Sequence, residues 1–479
     1  MNIDFLPQWM QNFLPILAVL VAITFVLRRL PKVELGHSAE FIRRRVWNWV
    51  PLGLTYAFLY MGRYNINVAK VVLDPETGMA LMTKAELATI TVFGTTTYAL
   101  SFLINGPLAD RYGGRRTILV AAIGSAIANV LMGWVIASGY VEHRVAALGA
   151  LYSLNMYFQS FGAVSIVKVN ANWFHVKERG VFGGIFGILI SLGLYFAYDW
   201  GTPIAQNLGP EWAFFVPAGI LLLFAILDHR LVFDRPGDIG HRDFDPGDAS
   251  VTEEGEVLSP IAIGKRMLAS PTIMFIILIE TCSGFVRGGI MKWGYVFASE
   301  TGQDALTGHW GAYLCVAGIL GGVFAGTVSD RVFQSRRGPV AFILYALASV
   351  SIAVAAALIV SPMAGFILLF AILSVIGVHG MLSGTASMDF GGRRNAGLAV
   401  GMIDGMVYLG FGAQSIILGY VLPTGEAQAQ AENWRVWLYV ILPVAIMGML
   451  LSLRIWNAAP ERQRSPEPKD GLPRVGGSS

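Results

Sequence analysis

Long apolar segments separated by short polar connections recur along the whole chain of 479 residues. A helix that spans a bilayer needs about 20 consecutive, mostly apolar residues. Segments close to that length predict an all-α membrane protein, with one extra N-terminal helix and, after a basic stretch, twelve further helices. The predicted helices lie at residues 9–27, 46–72, 87–108, 117–139, 145–167, 180–200, 211–227, 271–297, 306–328, 338–360, 363–386, 396–421 and 435–456.

The amino-acid composition supports this interpretation. Hydrophobic residues make up 55% of the chain, the mean hydropathy is +0.59 and charged residues make up 14%, well below the roughly 25% of a soluble domain. Cys282 and Cys315 both lie in apolar segments, so we expect no disulfide framework. No Lys or Arg precedes the first apolar segment, and we therefore interpret it as an uncleaved helix and not as a signal peptide.

The basic residues predict how the chain is oriented. Of the 34 lysines and arginines, most lie in the connections on one side, whereas the opposite connections hold Lys84, Arg144 and Arg435. Because basic loops stay in the cytoplasm, we expect a cytoplasmic C-terminus and an N-terminus outside. We call the end of the protein that carries Lys84 the predicted outer end. The formal net charge of +3 reflects this asymmetry and does not indicate nucleic-acid binding.

The sequence contains an internal duplication. The stretch GPLADRYGGRR at 106–116 is echoed by GTVSDRVFQSRRG at 326–338, and KERG at 177–180 is echoed by RRNAG at 393–397. Two six-helix halves, joined by a cytoplasmic loop and related by a pseudo-two-fold axis, form the major facilitator fold. The predicted domains are the extra helix with its basic linker at 1–45, the halves at 46–227 and 271–456, the central loop at 228–270 and the tail at 457–479.

The duplicated cytoplasmic loops match the loop signature of this superfamily. An Asp at a helix end beside several arginines suits a charge-paired latch between helices that re-forms in each transport cycle. A simpler interpretation is that the charges are solvated and only set the topology. The candidate gating residues are Asp110, Arg111, Arg115, Arg116, Asp330, Arg331, Lys177, Glu178 and Arg179.

Two arginines lie inside predicted spans, at positions related by the duplication. A charge at the bilayer centre costs roughly 2.5–3.5 kcal/mol on insertion scales, and it usually marks a pathway or a binding site. Arg63 and Arg287 place one guanidinium in each half, which predicts a clamp for a single anion. The alternative is that carboxylates neutralise the arginines and lock helices together. The candidate partners for that role are Glu280, Asp199, Asp389 and Asp404.

A polar stripe surrounds the first of these arginines. Its members follow the spacing i, i+4, i+7, i+11 and i+14, so they share one helix face, which we expect to face the pathway. The stripe consists of Tyr56, Tyr60, Arg63, Asn67 and Lys70. Together with Arg287, all of these except Lys70 are the predicted substrate-binding residues.

Five further residues are accessory candidates for coupling or substrate entry. Lys70 fits an entrance charge or a snorkelling anchor, and Lys292 fits an outer-vestibule or snorkelling charge. Glu280 shares a face with Arg287 and is its candidate resting charge partner. Asp404 fits a proton carrier, a contact to a cationic substrate group or an arginine partner. For His379, a packed and hydrogen-bonded role is favoured over a proton relay.

Four stretches carry a family resemblance. They are YAFLYMGRYN at 56–65, FQSFGAVSIVKVNANWFHVKERG at 158–180, GFVRGGIMKWG at 284–294 and GGRRNAGLAVGMIDGMVYLGFG at 391–412. These stretches resemble the organophosphate:phosphate antiporters, typified by the bacterial glycerol-3-phosphate and hexose-phosphate transporters. The second stretch is the most specific, and the resemblance covers residues 45–456.

The resemblance implies a rocker-switch exchanger in a bacterial inner membrane, in which Arg63 and Arg287 bind a phosphoryl group and Tyr56 and Tyr60 line the path. It implies that a monomer without a cofactor imports an organic phosphate ester and exports inorganic phosphate. The sequence carries no nucleotide-binding motif, in keeping with transport driven by the phosphate gradient.

The sequence departs from the family pattern at four places. Ile190 stands where the glycerol-3-phosphate branch has a basic histidine, and GAVS at 162–165 lacks the proline and the aromatic residue of the fourth helix. Lys292 precedes Trp293 where Asp or Asn is usual, and Asp404 replaces a glycine. These departures disfavour glycerol 3-phosphate itself and favour another phosphorylated or multiply charged anion.

Two alternative functions stay open. The first is a proton-coupled symporter of carboxylates or sugar acids, in which Asp404 or Glu280 titrates. The second is a membrane sensor that binds phosphate esters and signals through a partner docked on the extra helix. An enzyme is not expected, because the spans hold no nucleophile–base pair and no cluster of metal ligands.

Overall fold

The computed structural model describes residues 8–29, 36–72, 80–139, 142–175, 179–243, 265, 268–334, 336–383 and 396–458. Helices of 17 residues or more form the body of this described part. The first is α1, Gln8–Arg29. It is followed by α2 Ala39–Val71, α3 Lys84–Tyr112, α4 Gly114–Ala137, α5 Arg144–Trp173, α6 Arg179–Tyr195 and α7 Trp212–Leu231, and then by α8 Pro271–Glu300, α9 Trp310–Arg331, α10 Arg337–Ala357, α11 Ala364–Met381, α12 Ala396–Val421 and α13 Arg435–Ser452.

The helix boundaries agree closely with the apolar segments, with two differences. Helix α2 begins at Ala39, ahead of the predicted segment, because the Ser38 side chain caps it by accepting a hydrogen bond from the Phe41 amide. Helix α6 is followed by a π-helical turn, Phe196–Trp200, at the end of the predicted segment, and the short helix Gly201–Leu208 continues past that end. Such π turns often occur at functional sites.

Eight of the described helices are long and apolar enough to cross a membrane. Helices α2, α3 and α5 are also long but carry more polar side chains, and many of these are buried inside the bundle. Because polar groups in a membrane protein must face the interior or a cavity, these three helices define the polar side of the first half.

Two seams join the halves. Helix α3 packs along α12, and α6 packs against α9. The second helix of each half therefore meets the fifth helix of the other half, as a pseudo-two-fold axis between the halves requires. The all-α fold of two six-helix halves with one extra helix is confirmed. The exact domain boundaries stay predictions, since most of the central loop and the tail lie outside the described residues.

The extra helix α1 lies over the second seam. Val19 and Ala22 of α1 are buried in a cluster with Ile188 of α6 and with Ala312 and Cys315 of α9. One apolar surface of α1 therefore touches both halves at once.

Helices α8 and α12 approach each other so closely that their backbones touch. The glycines at 284, 288 and 289 predict such an approach, and a Cβ added to Gly284 would overlap the carbonyl of Val407. On the facing helix, a Cβ added to Gly410 would overlap the carbonyl of Thr281. The contact fixes α8, the helix that carries Arg287, against α12.

We predict that Gly284→Ala and Gly410→Ala each lower the midpoint of thermal unfolding in detergent, because overpacking a close contact costs about 1–3 kcal/mol. Gly219→Ala is the matched control, since a Cβ at that helical position meets no atom within 4 Å. Intrinsic fluorescence during heating measures all three variants. Equal midpoints for the three variants would contradict the interlocked packing of α8 and α12.

Candidate functional site

Arg63 lies in the second half of α2, about two turns before its end, and is 2% exposed. Its Nε donates a hydrogen bond of 2.8 Å to Oε1 of Gln159, and its Nη2 donates one of 3.1 Å to the hydroxyl of Tyr98. Its Nη1 donates to the hydroxyl of Tyr408. These acceptors come from α5, α3 and α12, and all of them are neutral. Among the described residues, no carboxylate forms an ion pair with Arg63.

A second layer of hydrogen bonds fixes the orientation of Gln159. Its Nε2 donates to Oδ1 of Asn155 at 3.1 Å, and Nδ2 of Asn155 donates to the carbonyl of Gly62 at 2.8 Å. Because the amide NH2 of Gln159 is used in this way, its oxygen is left to face Arg63. The carbonyl of Gly62 thus helps to position Gln159, the side chain that accepts a hydrogen bond from Arg63.

Aromatic rings enclose the same guanidinium. Its Cζ lies 4.5 Å from the ring centroids of Tyr60 and Tyr98 and 5.6 Å from that of Tyr408. Such contacts stabilise a buried cation by about 2 kcal/mol when it is desolvated. Tyr56, the other predicted tyrosine, packs edge-on against Tyr60, with centroids 5.4 Å apart. The predicted stripe therefore does face the interior.

Arg287 of α8 is also buried, at 8% exposure. The electrostatic neighbours of Arg287 are Tyr408, Tyr64, Tyr60 and Glu280, and two of these tyrosines, Tyr60 and Tyr408, also lie beside Arg63. Its Nε has no hydrogen-bond partner in the described part of the chain. A buried guanidinium donor without an acceptor is costly, and it is available to an incoming oxyanion.

Glu280, the predicted charge partner of Arg287, forms no ion pair with it in the described part of the chain, although it acts on Arg287 electrostatically over a longer distance. Glu280 is fully buried, and its Oε2 lies 2.9 Å from Nδ1 of His379 on α11. Although Glu280 and Arg287 share a helix face, they are two turns apart, about 10 Å along the axis. The neighbouring helix offers Glu280 a closer partner. The predicted hydrogen-bonded role of His379 is confirmed.

The other candidate acids also have partners elsewhere. Asp404 of α12 accepts a hydrogen bond from the hydroxyl of Ser383. Asp199 accepts from the backbone amide of Gly311 at 2.7 Å and from that of Ala312 at 3.2 Å, at the N-terminus of α9, where a carboxylate is favoured by the helix dipole. Asp389 lies outside the described residues. None of the three acids that can be placed pairs with Arg63 or Arg287.

A small central cavity lies beside Arg63. Its open volume is about 10 Å³, roughly the room that one water molecule needs. Asn67, predicted to contact substrate, lines it and donates to the hydroxyl of Tyr198 at 3.1 Å. A substrate therefore needs a rearrangement of the halves to enter. The lining residues are Arg63, Tyr64, Asn67, Thr91, Thr95, Tyr152, Met156, Tyr408 and Phe411.

Charged side chains join the halves at the predicted outer end. Glu300 of α8 pairs with Nζ of Lys70 at 3.2 Å and with Nζ of Lys84 at 2.5 Å. Lys84 also donates to the carbonyl of Pro423 and to Oε1 of Gln428, both at 2.8 Å. The snorkelling role predicted for Lys70 is wrong, because its side chain is buried and bound to the other half.

The second seam is closed at the same end. Asp199 of the first half caps α9 of the second half, as described above. Nearby, the hydroxyls of Thr202 and Tyr295 lie 2.6 Å apart and again link the two halves. Both seams are therefore in contact at the predicted outer end. We call the ion pairs of Glu300 together with the Asp199 cap the outer gate.

The snorkelling role predicted for Lys292 is wrong as well. Lys292 is 0% exposed, and its Nζ donates to the hydroxyls of Thr91 on α3, at 2.9 Å, and of Ser415 on α12, at 3.1 Å. The residue lies between the halves and not at the lipid surface.

The loops that are predicted to be cytoplasmic are described only in part. The backbone amide of Arg115 donates to Oδ1 of Asp234 at 2.9 Å, and its guanidinium lies 4.4 Å from the ring centroid of Phe233. Arg111, Arg116 and Arg331 are exposed. The side chains of Asp110, Asp330 and Arg179, and the whole of Lys177 and Glu178, lie outside the described residues. The latch between Asp110 and its neighbouring arginines stays a prediction.

Sequence reasoning missed several of these residues. Gln159, Tyr98 and Tyr408 hold Arg63 from three other helices, and Asp234 follows α7 beside the loop arginines. Each of the first three is a polar residue in an apolar helix, the same signal that identified Arg63, but spacing within one helix does not indicate contacts between helices.

These features define a class of protein: a helical membrane transporter of two packed halves, with buried cations where the halves meet. The model of the Major Facilitator Superfamily matches residues 52–415, and the chain belongs to that family. It is therefore an integral membrane protein of a transporter family and not an enzyme.

Known relatives match over almost the full chain. A "Glycerol-3-phosphate transporter" of Bacillus subtilis is 26% identical, covering 88% of this chain and 94% of that protein. A "Membrane sensor protein UhpC" of Salmonella typhimurium is 25% identical, covering 90% and 96%. A "Probable hexose phosphate transport protein" of Chlamydia trachomatis is 23% identical, covering 89% and 93%. The resemblance to organophosphate transporters is thereby confirmed.

A solved structure shows the same fold. It is a bacterial homologue of the human lysosomal transporter Spinster, in an inward-facing and unoccupied conformation. The TM-score is 0.65 at 15% sequence identity, with coverage of 88% of this chain and 100% of that chain.

We predict that Glu300→Gln weakens the outer gate, because it removes the charge that Lys70 and Lys84 share. A single cysteine at Thr95, in a background with Cys282→Ala and Cys315→Ala, reports on access to the central cavity. A membrane-impermeant maleimide added at the predicted outer end is expected to label the Glu300→Gln protein several-fold faster.

The control for this measurement is Glu432→Gln. Glu432 is an exposed residue that pairs with Arg435 at 3.6 Å, and exposed pairs contribute little, so its labelling rate should equal that of the parent. An unchanged rate in Glu300→Gln would show that these ion pairs do not hold the predicted outer end closed.

Proposed function

We propose that the protein is a secondary active transporter that imports an organic phosphate ester in exchange for inorganic phosphate. The observation that carries this proposal is the pair of buried arginines, one from each half, which have tyrosines as common neighbours and form no ion pair with a carboxylate among the described residues. A guanidinium suits the oxygens of a phosphoryl group because it offers several N–H donors in a planar fork.

The charges also match. A phosphate group carries about −1.5 to −2 at pH 7, which two arginines balance. Inorganic phosphate and the phosphoryl end of an ester are then interchangeable at the same two side chains, as exchange requires. The relatives named as glycerol-3-phosphate and hexose phosphate transporters support the same substrate class.

The site suggests how binding is coupled to movement. Arg63 is held by Gln159 and Tyr98 of its own half and by Tyr408 of the other half. A phosphoryl oxygen can replace the Tyr408 hydroxyl as acceptor while Arg287 binds the same group from the opposite side. The substrate then joins the halves where Tyr408 did, and rocking of the halves along the two seams exposes the site alternately to each side.

The membrane setting is part of the proposal. We propose that the C-terminus lies in the cytoplasm and the N-terminus outside, which the basic loops favour, in a bacterial inner membrane. We propose that the transporter acts as a monomer, with the outward-directed phosphate gradient as its energy source.

A second candidate function is proton-coupled symport of an organic anion. The contact between Glu280 and His379 favours it, because histidine commonly serves as a proton shuttle. A third candidate is a phosphate-ester sensor, which the similarity to the UhpC protein favours.

We predict that inorganic phosphate, glycerol 3-phosphate and glucose 6-phosphate raise the unfolding midpoint of the purified protein. A ligand at 100 times its Kd stabilises a protein by about 2.7 kcal/mol. Arg63→Ala and Arg287→Ala should each abolish the shift, because a single guanidinium leaves the phosphoryl charge half balanced.

Arg435→Ala is the matched control, since Arg435 is a partly exposed arginine of α13 that pairs only with Glu432 in the described residues. It should retain the full ligand-induced shift. If stabilisation by any ester survives both Arg63→Ala and Arg287→Ala, the two arginines are not the binding site.

We also predict exchange in liposomes. Vesicles loaded with phosphate should take up labelled phosphate or ester from outside without an imposed pH gradient, and vesicles loaded with chloride should not. Accumulation that needs a pH gradient, proceeds without internal phosphate and is lost in Glu280→Gln would instead establish symport.

Uptake that persists after deletion of residues 1–30 argues against a sensor that signals through the extra helix.

A further inference from the structure

Lys292 is a buried cation to which the proposed exchange mechanism assigns no role. Its ammonium is completely enclosed and, in the described part of the chain, donates only to the hydroxyls of Thr91 and Ser415, with the ring centroid of Trp293 4.7 Å away. These two residues belong to different halves, so Lys292 sits where the halves meet, as Arg63 and Arg287 do. Burying an ammonium beside neutral groups alone is unfavourable, and such a residue inside a membrane protein usually serves a ligand or a pathway.

None of the acidic residues of the neighbouring helices pairs with Lys292 in the described part of the chain. On α3, Glu86 lies five residues before Thr91, and its carboxylate accepts hydrogen bonds from Thr83. Along α8, Glu280 lies twelve residues before Lys292 and Glu300 eight residues after it, about 18 and 12 Å along the axis. Glu280 binds His379, and Glu300 binds the two lysines of the outer gate. On α12, Asp404 precedes Ser415 by eleven residues, about 16 Å. The described residues therefore provide Lys292 with no countercharge.

Lys292 reaches the central cavity through Thr91. Thr91 both accepts the lysine's hydrogen bond and lines the cavity that contains Arg63. Tyr98, which accepts from Arg63, lies seven residues further along α3, about 10 Å along the helix axis. The arginine end and the lysine end of the site are thus separated by about the length of a short ligand with an anionic group at each end.

We propose that Lys292 binds a carboxylate of the transported ester, so that the substrate is a short-chain carboxylic acid that carries a phosphate group. This inference rests on the proposed function, because it assigns the phosphoryl end to Arg63 and Arg287. In the described conformation the two halves are in contact, and the hydroxyls of Thr91 and Ser415 accept the hydrogen bonds of the Lys292 ammonium. In the substrate complex, the carboxylate takes their place as acceptor.

A carboxylate fits Lys292 better than a second phosphate does. The two arginines balance a phosphoryl group of about −2, and the single charge of Lys292 balances a single carboxylate. A second phosphate would leave a net negative charge in a desolvated site. Lysine also acts as a point charge, whereas phosphate is better matched by the fork of an arginine.

The test compares two ligands that differ only in the acidic group. 3-Phosphoglycerate has a carboxylate where glycerol 3-phosphate has a hydroxymethyl group. The purified full-length protein is titrated with each ligand, and with inorganic phosphate, by isothermal calorimetry. We expect 3-phosphoglycerate to bind at least about tenfold more tightly than glycerol 3-phosphate, because its carboxylate forms an additional charge-assisted hydrogen bond in a buried site.

Two variants assign that preference to Lys292. Lys292→Gln keeps a polar donor of similar length, and in this variant the ratio of the two dissociation constants should fall to about one. Lys292→Arg restores a positive charge, so most of the preference for 3-phosphoglycerate should be recovered. Lys265→Gln is the matched control, because Lys265 is an exposed lysine, and it should keep the wild-type ratio. The ratio is insensitive to a loss of active protein, which affects both ligands equally.

The outcomes separate the two proposals. Equal affinities for the two ligands in the wild-type protein, or an undiminished ratio in Lys292→Gln, would overturn the role of Lys292 and leave phosphate-ester exchange standing. Failure of all three ligands to bind the wild-type protein would overturn the proposed function itself, and the assignment of Lys292 with it. A Lys292→Gln variant that does not fold leaves the wild-type ratio as the deciding measurement.

Discussion

The hydrogen bonds of Arg63 to three neutral acceptors are the interaction on which the rest of the site depends. A guanidinium buried inside a membrane protein must have its donors satisfied, and Gln159, Tyr98 and Tyr408 satisfy them from three other helices. A carboxylate in their place would neutralise the charge. Because the partners are neutral, the positive charge is stabilised without being cancelled, and it stays available to an anion.

The centre of the protein and its predicted outer end differ in whether their basic residues pair with carboxylates. At the centre, Arg63, Arg287 and Lys292 form no ion pair with a carboxylate among the described residues, whereas at the predicted outer end Lys70 and Lys84 are paired with Glu300. Charges that pair with each other can hold the halves together. Charges that lack such a partner attract a ligand. The acids near the centre, Glu280 and Asp404, form hydrogen bonds with residues of their own half.

Much of the fold and part of the site follow from the sequence alone. The helices could be predicted because each needs an apolar run, and the two arginines because the duplication marks them as equivalent. The residues that hold Arg63 could not be found in this way, since they belong to other helices. Lys292 was misjudged for a related reason. It points away from the face of Arg287, which helical spacing shows, but that direction leads to α3 and α12 and not to lipid.

The distribution of partners around Arg63 also indicates which contacts can change during a transport cycle. The ion pairs of the outer gate are buried, but they lie at the predicted outer end, where water can hydrate the separated charges once the gate opens. In the membrane interior, water does not replace the hydrogen-bond acceptors of Arg63 in this way. Gln159 and Tyr98 belong to the same half as Arg63 and can stay bound in every state, while Tyr408 belongs to the other half and must leave when the halves part. In the proposed mechanism, one donor of Arg63 is therefore released by each opening movement, and the phosphoryl group of the substrate is the acceptor that takes the place of Tyr408.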